Sequence, residues 1–324
     1  MYSQLNTAIL FLVFNRPETT SRVFEVIKKI RPKRLYVASD GPRLSKINEV
    51  EKVNLVRKIA SAVNWPCEVK TLFRKQNLGC KSAVSRGIHW FFENEDEGII
   101  LEDDCLPHLD FFSFCEKLLK KYRNNEKILT ITGDNFQNGI MRGSNSYYFS
   151  KYFHCWGWAT WRRTWDFYDG EIKFWPKWKQ SADWINKFPD KIERKYWSSI
   201  FDKVYFNQID TWDYPFMASL WNKGGLNLIP NVNLVSNIGF GPDATHTISI
   251  NDKNSNLSVG VIGELKHPAE IERCQIADKY TFNITFRGKN LRMPWILLNL
   301  PIRILKKNRT ASKIYITRFH KYFL

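Results

Sequence analysis

Three consecutive carboxylates, Glu102, Asp103 and Asp104, directly follow the apolar segment Gly98 to Leu101. An apolar run of that length reads as the end of a buried strand. Acids at the carboxyl end of a strand stand where ligands bind in open α/β sheets. Three charges there repel one another, and each has a raised pKa unless a cation neutralises it. A divalent cation carrying a diphosphate meets that need through hard oxygen ligands. The plain alternative is an exposed acidic turn ahead of a helix that begins near Leu109-Asp110.

Other residues have types and positions suited to chemistry. Asp213, in DTWDYPF, is the candidate general base, because it sits between Trp212 and Tyr214, where partial desolvation raises a carboxylate's pKa toward a useful value. Asp210 is its rival, and capping a helix that starts near Pro215 is its structural alternative. Asp40 ends a strand-like run at the turn Asp40-Gly41-Pro42, where it reads as a ligand-facing acid or a turn former. Arg16 is placed to pack on a base or phosphate, or to stand as a solvated loop charge. Lys81 and Arg86 lie on a helix opened by Leu78-Gly79, where cations and free N–H groups favour anions, or else on an exposed helix face. His246, in DATHT, offers an imidazole to a transition-metal ion. His154 reads as structural, and His108 is a weaker candidate near the triplet.

These residues need a frame, and the apolar spacing predicts one. Strand-like runs at Ala8 to Phe14, Arg34 to Ala38, Glu68 to Phe73 and Gly98 to Leu101 alternate with helical spacing over Glu18 to Ile30, Ile47 to Val63 and Leu78 to Phe92. Such alternation argues for a parallel α/β sheet of roughly four strands. Further on, Phe111 to Tyr122 is amphipathic and helical, Ile128 to Gly133 is a strand, and Trp175 to Phe206 is helical with a break at Pro189. Trp212 to Lys223 is a helix stopped by Gly224-Gly225, and Leu226 to Ile229 is a strand. Ten of the thirteen tryptophans lie between Trp156 and Trp221, enough for an aromatic-lined cleft, a Trp-rich core, or both.

The chain has 324 residues and a formal net charge of +17. Lys279 to Leu324 holds eleven Lys or Arg and no Asp or Glu, so the tail supplies more than half of the excess. A basic tail suits nucleic acid or an anionic membrane face, and no nucleic-acid-binding motif accompanies it. The tail segment PWILLNLPIRILKKN sets Trp295, Leu297 and Leu298 among cations, as interfacial segments do. Six cysteines show no C-x-x-C pair or zinc spacing and read as buried thiols of a reducing compartment. No basic segment precedes AILFLVF, so it does not read as a signal peptide. No run of 18 apolar residues exists to span a bilayer. The expected location is cytoplasmic, peripheral on the inner face of the membrane.

There is no G-x-G-x-x-G after the first strand, no P-loop and no G-x-S-x-G. The order of Asp40, the segment Asn77-Leu78-Gly79-Cys80-Lys81 and the acidic triplet resembles the amino-terminal half of GT-A fold glycosyltransferases. LEDDCLPHLDFFSF is similar to the E-D-D element and aromatic-rich helix of the N-acetylglucosaminyltransferase I type. GWATWRRTW resembles that family's Gly-Trp segment, and LNLIPNVNLVSNIGFGPDATHT its Pro-containing strand and Gly and His loop. The resemblance spans roughly residues 7 to 250 and extends to bacterial sugar transferases and the hemolysin-like proteins grouped with them.

The resemblance implies a GT-A, Rossmann-like, mostly parallel sheet flanked by helices, with an aromatic-rich acceptor half. The transferase domain is expected over 1–250, with a donor half over about 1–135 and an acceptor half over about 136–250. A C-terminal extension with the basic amphipathic tail follows over 251–324. The implied activity is inverting transfer from a nucleotide-sugar, UDP-sugar favoured, to a glycan or glycolipid acceptor with Mn2+ or Mg2+. By the same resemblance Asp104 is a metal ligand and His246 the last metal or diphosphate ligand. Asp103 faces the ribose or metal waters, Glu102 the donor sugar hydroxyls, and Asp40 the base or ribose. The alternatives are a peripheral membrane-binding or lytic protein built around the tail and, on charge alone, an RNA-binding protein.

Overall fold

Short apolar runs become consecutive strands of one sheet because they are too brief to bury a helix. The computed structural model describes residues 4–240 and 257–292. β1 (Ile9–Val13), β2 (Arg34–Ser39), β3 (Glu68–Phe73) and β4 (Glu97–Glu102) are linked by α1 (Pro17–Ile30), α2 (Glu49–Ala60) and α3 (Cys80–Asn94). β1 pairs in parallel with β2 on one side and β4 on the other, and β2 pairs in parallel with β3. β1 is buried along its whole length, which is why ILFLV shows no alternation. α1 starts on Pro17, whose missing N–H is unneeded in a first turn, and turns Val23, Phe24, Ile27 and Ile30 inward. Glu102 belongs to β4 itself, so the acidic triplet straddles the strand end.

Past β4 the chain leaves simple alternation. β5 (Cys105–Pro107), α4 (Leu109–Tyr122), β6 (Ile128–Thr132), β7 (Tyr147–Ser150) and β8 (Trp158–Trp161) follow, and β9 (Leu226–Pro230) and β10 (Val235–Asn237) come later. The sheet has eight strands in the order β3-β2-β1-β4-β8-β6-β9-β7. β8 lies antiparallel between β4 and β6, β6 and β9 run parallel, and β7 closes the edge antiparallel to β9. The mostly parallel α/β sheet is as expected, and β6 and β9 stand where the runs from Ile128 and Leu226 predict strands. β7 and β8 escaped the sequence because they pair with strands distant in the chain, and such pairing leaves no local signal.

Between the strands stand α5 (Arg162–Trp165), α6 (Trp175–Lys179), α7 (Ala182–Lys187), α8 (Lys191–Tyr205) and α9 (Asp213–Lys223). The predicted helical stretch from Trp175 is thus three helices, with Ser181 and Asp190 capping α7 and α8. Trp158, Trp165, Trp175, Trp184, Trp197 and Trp221 are fully buried, so most of the tryptophan run is core rather than cleft. α10 (Gln275–Tyr280) and a following π-turn bring Phe282 and Phe286 into this aromatic layer, while Ile262, Leu265 and Ile271 pack on the sheet's other core.

One charged pair lies inside the aromatic layer. Lys151 Nζ donates to Glu193 Oε1 at 2.6 Å, Tyr152 Oη donates to the same oxygen, and the ammonium stands 4.0 Å from the Phe188 ring centre. Truncating one partner of such a pair leaves the other charge buried and unpaired, at a cost of about 3–5 kcal/mol. Glu193→Leu is therefore expected to lower the urea midpoint sharply, and adding Lys151→Met to recover much of the loss. Equal midpoints for wild type and the single variant would show that the pair contributes nothing.

Candidate active site at the carboxyl edge of the sheet

β1 and β4 are neighbours in register, with Leu12 opposite Glu102. The chain leaving β1 therefore runs beside the chain leaving β4. Arg16, the residue before α1, meets the acids there: its Nη1 donates to Asp104 Oδ2 at 2.7 Å and its Nη2 donates to Asp103 Oδ1. Asp103 Oδ2 accepts from the Phe14 amide at 3.1 Å. The cation that the crowded acids require is thus an internal guanidinium. Burial opposes the Arg16 charge, but the two carboxylates overcome it and hold the group above its ordinary value. Arg16 is thus not a solvated loop charge, and it also lines the adjoining cleft.

The small β5–β10 pairing locks this corner. Asn237 lies opposite Cys105, and the Ile238 amide donates to the Asp104 carbonyl at 2.8 Å. Gly239 then passes so close to the ion pair that a Cβ would lie 2.7 Å from the Asp104 Cβ. Only a residue without a side chain fits there.

Glu102 and Asp103 line an open cleft. Burial and then repulsion by Asp104 push the Glu102 acid up to about 8, and no described residue hydrogen-bonds its carboxylate. Asp40 lies on the same cleft, but its carboxylate is committed to the loop into α3. Its Oδ1 accepts from the amides of Gly41 (2.9 Å) and Leu78 (3.0 Å), and its Oδ2 from Asn77 Nδ2 (3.0 Å) and the Gly79 amide (3.2 Å). Lys81 is half-buried and Arg86 exposed, and neither is on the cleft wall. Three other cations are: Arg16, Arg43 and Arg74. Arg43 is held by the buried Glu49, with Nε to Oε2 at 2.9 Å, and Arg74 follows β3. Arg74 was legible by the rule that picked out Asp40, since it stands just past a strand end.

A second cavity adjoins the edge where β6 ends and β8 begins. Gly157, with φ of 71°, lets the chain entering β8 approach β6, and the Gly133 amide donates to its carbonyl at 2.7 Å. Asp134, His154, Trp156 and Asp213 line this cavity. Asp213 is the first residue of α9 and not its cap. Its Oδ1 accepts from Thr211 Oγ1 and from the Tyr214 amide at 2.9 Å, and burial pushes the acid up to about 6. It is close enough to Glu102 to raise that group as well. Asp210 is exposed beside Gly79. His108 caps α4, its Nδ1 accepting from the Asp110 amide at 3.2 Å. His246 and the basic tail from Met293 lie outside the described residues.

Asp104 Oδ1 touches only the Cys105 thiol, at 3.6 Å, among the described residues. A carboxylate oxygen with no charged partner among the described residues suits a hard cation that arrives with its phosphates and keeps other ligands. A dedicated cage is a different matter: no group of three potential ligands converges among the described residues. No described helix is long and apolar enough to cross a membrane.

No family model and no curated protein matches the chain. Among solved structures it is similar to a cytidylyltransferase from Leptospira borgpetersenii, at 14% identity and a TM-score of 0.31 over 50% of this chain and 63% of that one. It is also similar to a UDP-glucose pyrophosphorylase complexed with UDP-glucose, at 12% identity and 0.29, over 50% of this chain and 71% of that one. The glycosyltransferase GlyE of Streptococcus pneumoniae TIGR4 aligns at 10% identity and 0.31, over 69% of this chain and 45% of that one. The chain thus spans less than two thirds of the cytidylyltransferase it matches. Likeness at this level carries no argument about the site, whose chemistry is read from this chain's own side chains.

Proposed function

We propose that the protein is an inverting glycosyltransferase that moves a sugar from a nucleotide diphosphate donor, UDP-sugar favoured, to a glycan or lipid-linked acceptor. The observation that carries this reading is the pair of cavities at one sheet edge, with the half-buried Glu102 and the buried Asp213 on their walls and within electrostatic reach of each other. The donor nucleotide occupies the first cleft, where Asp40 shapes the wall and Arg43 and Arg74 supply positive charge. Glu102, uncharged at neutral pH because burial pushes it up to about 8, hydrogen-bonds a donor sugar hydroxyl. Asp213 takes the proton from the acceptor hydroxyl as that oxygen attacks the anomeric carbon and the diphosphate departs on the opposite face. Thr211 and the Tyr214 amide fix its orientation. Asp104, with His246 as a second ligand, would hold a Mn2+ or Mg2+ ion, whose chemistry when bound is to neutralise charge on the departing diphosphate. The direct experiment is a screen of nucleotide-sugars for hydrolysis by the purified protein with Mn2+, and no turnover of any of them would sink the reading.

Asp213→Asn keeps the shape of the side chain and removes the base. Turnover should fall by roughly 10²- to 10⁴-fold with donor binding nearly unchanged. The base works only when deprotonated, so the wild-type rate should decline as pH drops through about 6, and the variant should lack that limb. A wild-type rate in this variant, or inactivity of Asp210→Asn instead, would overturn the assignment.

Asp104→Ala should abolish Mn2+-dependent UDP binding, read as a thermal shift, while the fold persists because Asp103 still pairs with Arg16. An undiminished Mn2+-dependent shift would refute Asp104 as the ligand.

The segment from Met293 onward carries seven Lys or Arg and no acid, and we place it on an anionic membrane face. Such attraction is worth about 1 kcal/mol per charge near the surface and weakens with salt. Truncation after Arg292 keeps the Arg292–Asp190 pair. It should therefore abolish salt-sensitive co-sedimentation with anionic vesicles and spare donor hydrolysis. Unchanged vesicle binding, or a truncated chain that no longer folds, would assign the tail to the core.

A further inference from the structure

Exposed apolar side chains are concentrated in one stretch that the proposed transfer does not use. Among the described residues, four of the thirteen exposed large apolar side chains fall within residues 44–55: Leu44, Ile47, Val50 and Leu55. A single exposed leucine is ordinary, but such a concentration marks a contact surface. Leu44 is 87% exposed and Ile47 92%, so both side chains stand almost wholly in water.

The turn that carries them is pinned at its base. Glu49, buried at the first position of α2, accepts from the Arg43 amide at 2.6 Å, from Arg43 Nε at 2.9 Å and from Asn15 Nδ2 at 2.9 Å. The bond from Arg43 outweighs burial and holds this acid below the ordinary carboxylate value. The Lys46 amide closes the turn on the Arg43 carbonyl at 2.9 Å. Because Arg43 also lines the first cleft, the apolar tip is fixed beside that cleft. Charge then selects the partner. Lys46, Lys52 and Lys58 are exposed with no ion pair among the described residues, and Glu51 is the single exposed acid between Arg43 and Lys58. Apolar side chains among unpaired lysines match the headgroup boundary of an anionic bilayer. Lysine is depleted in protein–protein interfaces, which disfavours a protein partner or a second copy.

We propose that the turn over 44–48 and the exposed side of α2 rest on an anionic bilayer, with Leu44 and Ile47 at the headgroup level and the three lysines on lipid phosphates. The contact is carried by described residues and does not need the transferase reading. That it holds the cleft next to a lipid-linked acceptor rests on that reading. It acts together with the attraction proposed for the tail, since two weak contacts on one chain bind more tightly than either alone.

The test is co-sedimentation of the full chain with vesicles of phosphatidylglycerol and phosphatidylcholine at low and high salt. Leu44→Ser with Ile47→Ser should weaken partition about tenfold at both salt concentrations, because transfer of apolar surface is not screened. Leu44→Trp with Ile47→Trp should strengthen it, since Trp favours the headgroup level. Lys46→Gln with Lys52→Gln should weaken it at low salt only. All these side chains are exposed, so melting temperature and lipid-free donor hydrolysis should not change. Partition unchanged in the Ser variant, or no stronger in the Trp variant, would overturn the contact. So would lipid-free self-association that the Ser variant abolishes, which would make the face an interface between copies. Loss of lipid-free hydrolysis in the Ser variant would also overturn it, by making the turn part of the cleft. If the Ser variant does not fold, the Trp and Gln variants decide. Absence of donor hydrolysis in wild type with this partition intact sinks the transferase reading alone. Hydrolysis with partition indifferent to the Ser variant sinks the contact alone.

Discussion

A guanidinium neutralises two adjacent acids at the end of β4, and the surrounding architecture follows from that requirement. Asp103 and Asp104 are both nearly buried, and side by side they would not both ionise without a countercharge. Arg16 supplies it only because β1 and β4 are parallel neighbours, so that the residue ahead of α1 emerges beside the triplet. The β5–β10 pairing then brings Gly239 onto the ion pair. Strand order, helix start and a glycine are all tied to one electrostatic problem.

Desolvation sets the chemical character of the acids around this pair. Asp213 is raised to about 6 and keeps most of its charge at neutral pH, whereas Glu102, raised to about 8, is mostly protonated there. Burial raises Asp134 as well. One kind of side chain therefore has different proton affinities along one edge, set by burial. The aromatic layer contributes to this burial, since its Tyr214, Met217 and Phe286 line the cavity with Asp213. Buried acids of this kind lower stability in return for function.

The two cavities have separate structural origins. The first lies at the ends of β1, β2 and β4, which come from the regular strand–helix alternation of the amino-terminal third. The second exists because β8 inserts between β4 and β6 and carries His154 to Trp156 to the same edge. The polar, arginine-bearing cleft and the aromatic cavity thus differ in composition because different topological events built them.

Much of this was readable from residue order. Apolar runs ending in polar residues located β1 to β4 and the carboxyl edge, because buried parallel strands need no alternation and their ends must be wet. The acid triplet and Asp213 were legible because charge crowding and aromatic flanks are local properties. The tertiary structure alone decided which cation answers the triplet, since Arg16 and Asp104 are far apart in sequence and meet only through strand pairing. It also decided that Asp40 spends its oxygens on the loop into α3, that most tryptophans are core, and that Asp134 and His154 face one cavity with Asp213. Hydrogen-bond partners and burial depend on distances between segments, and a sequence records only the distances along the chain.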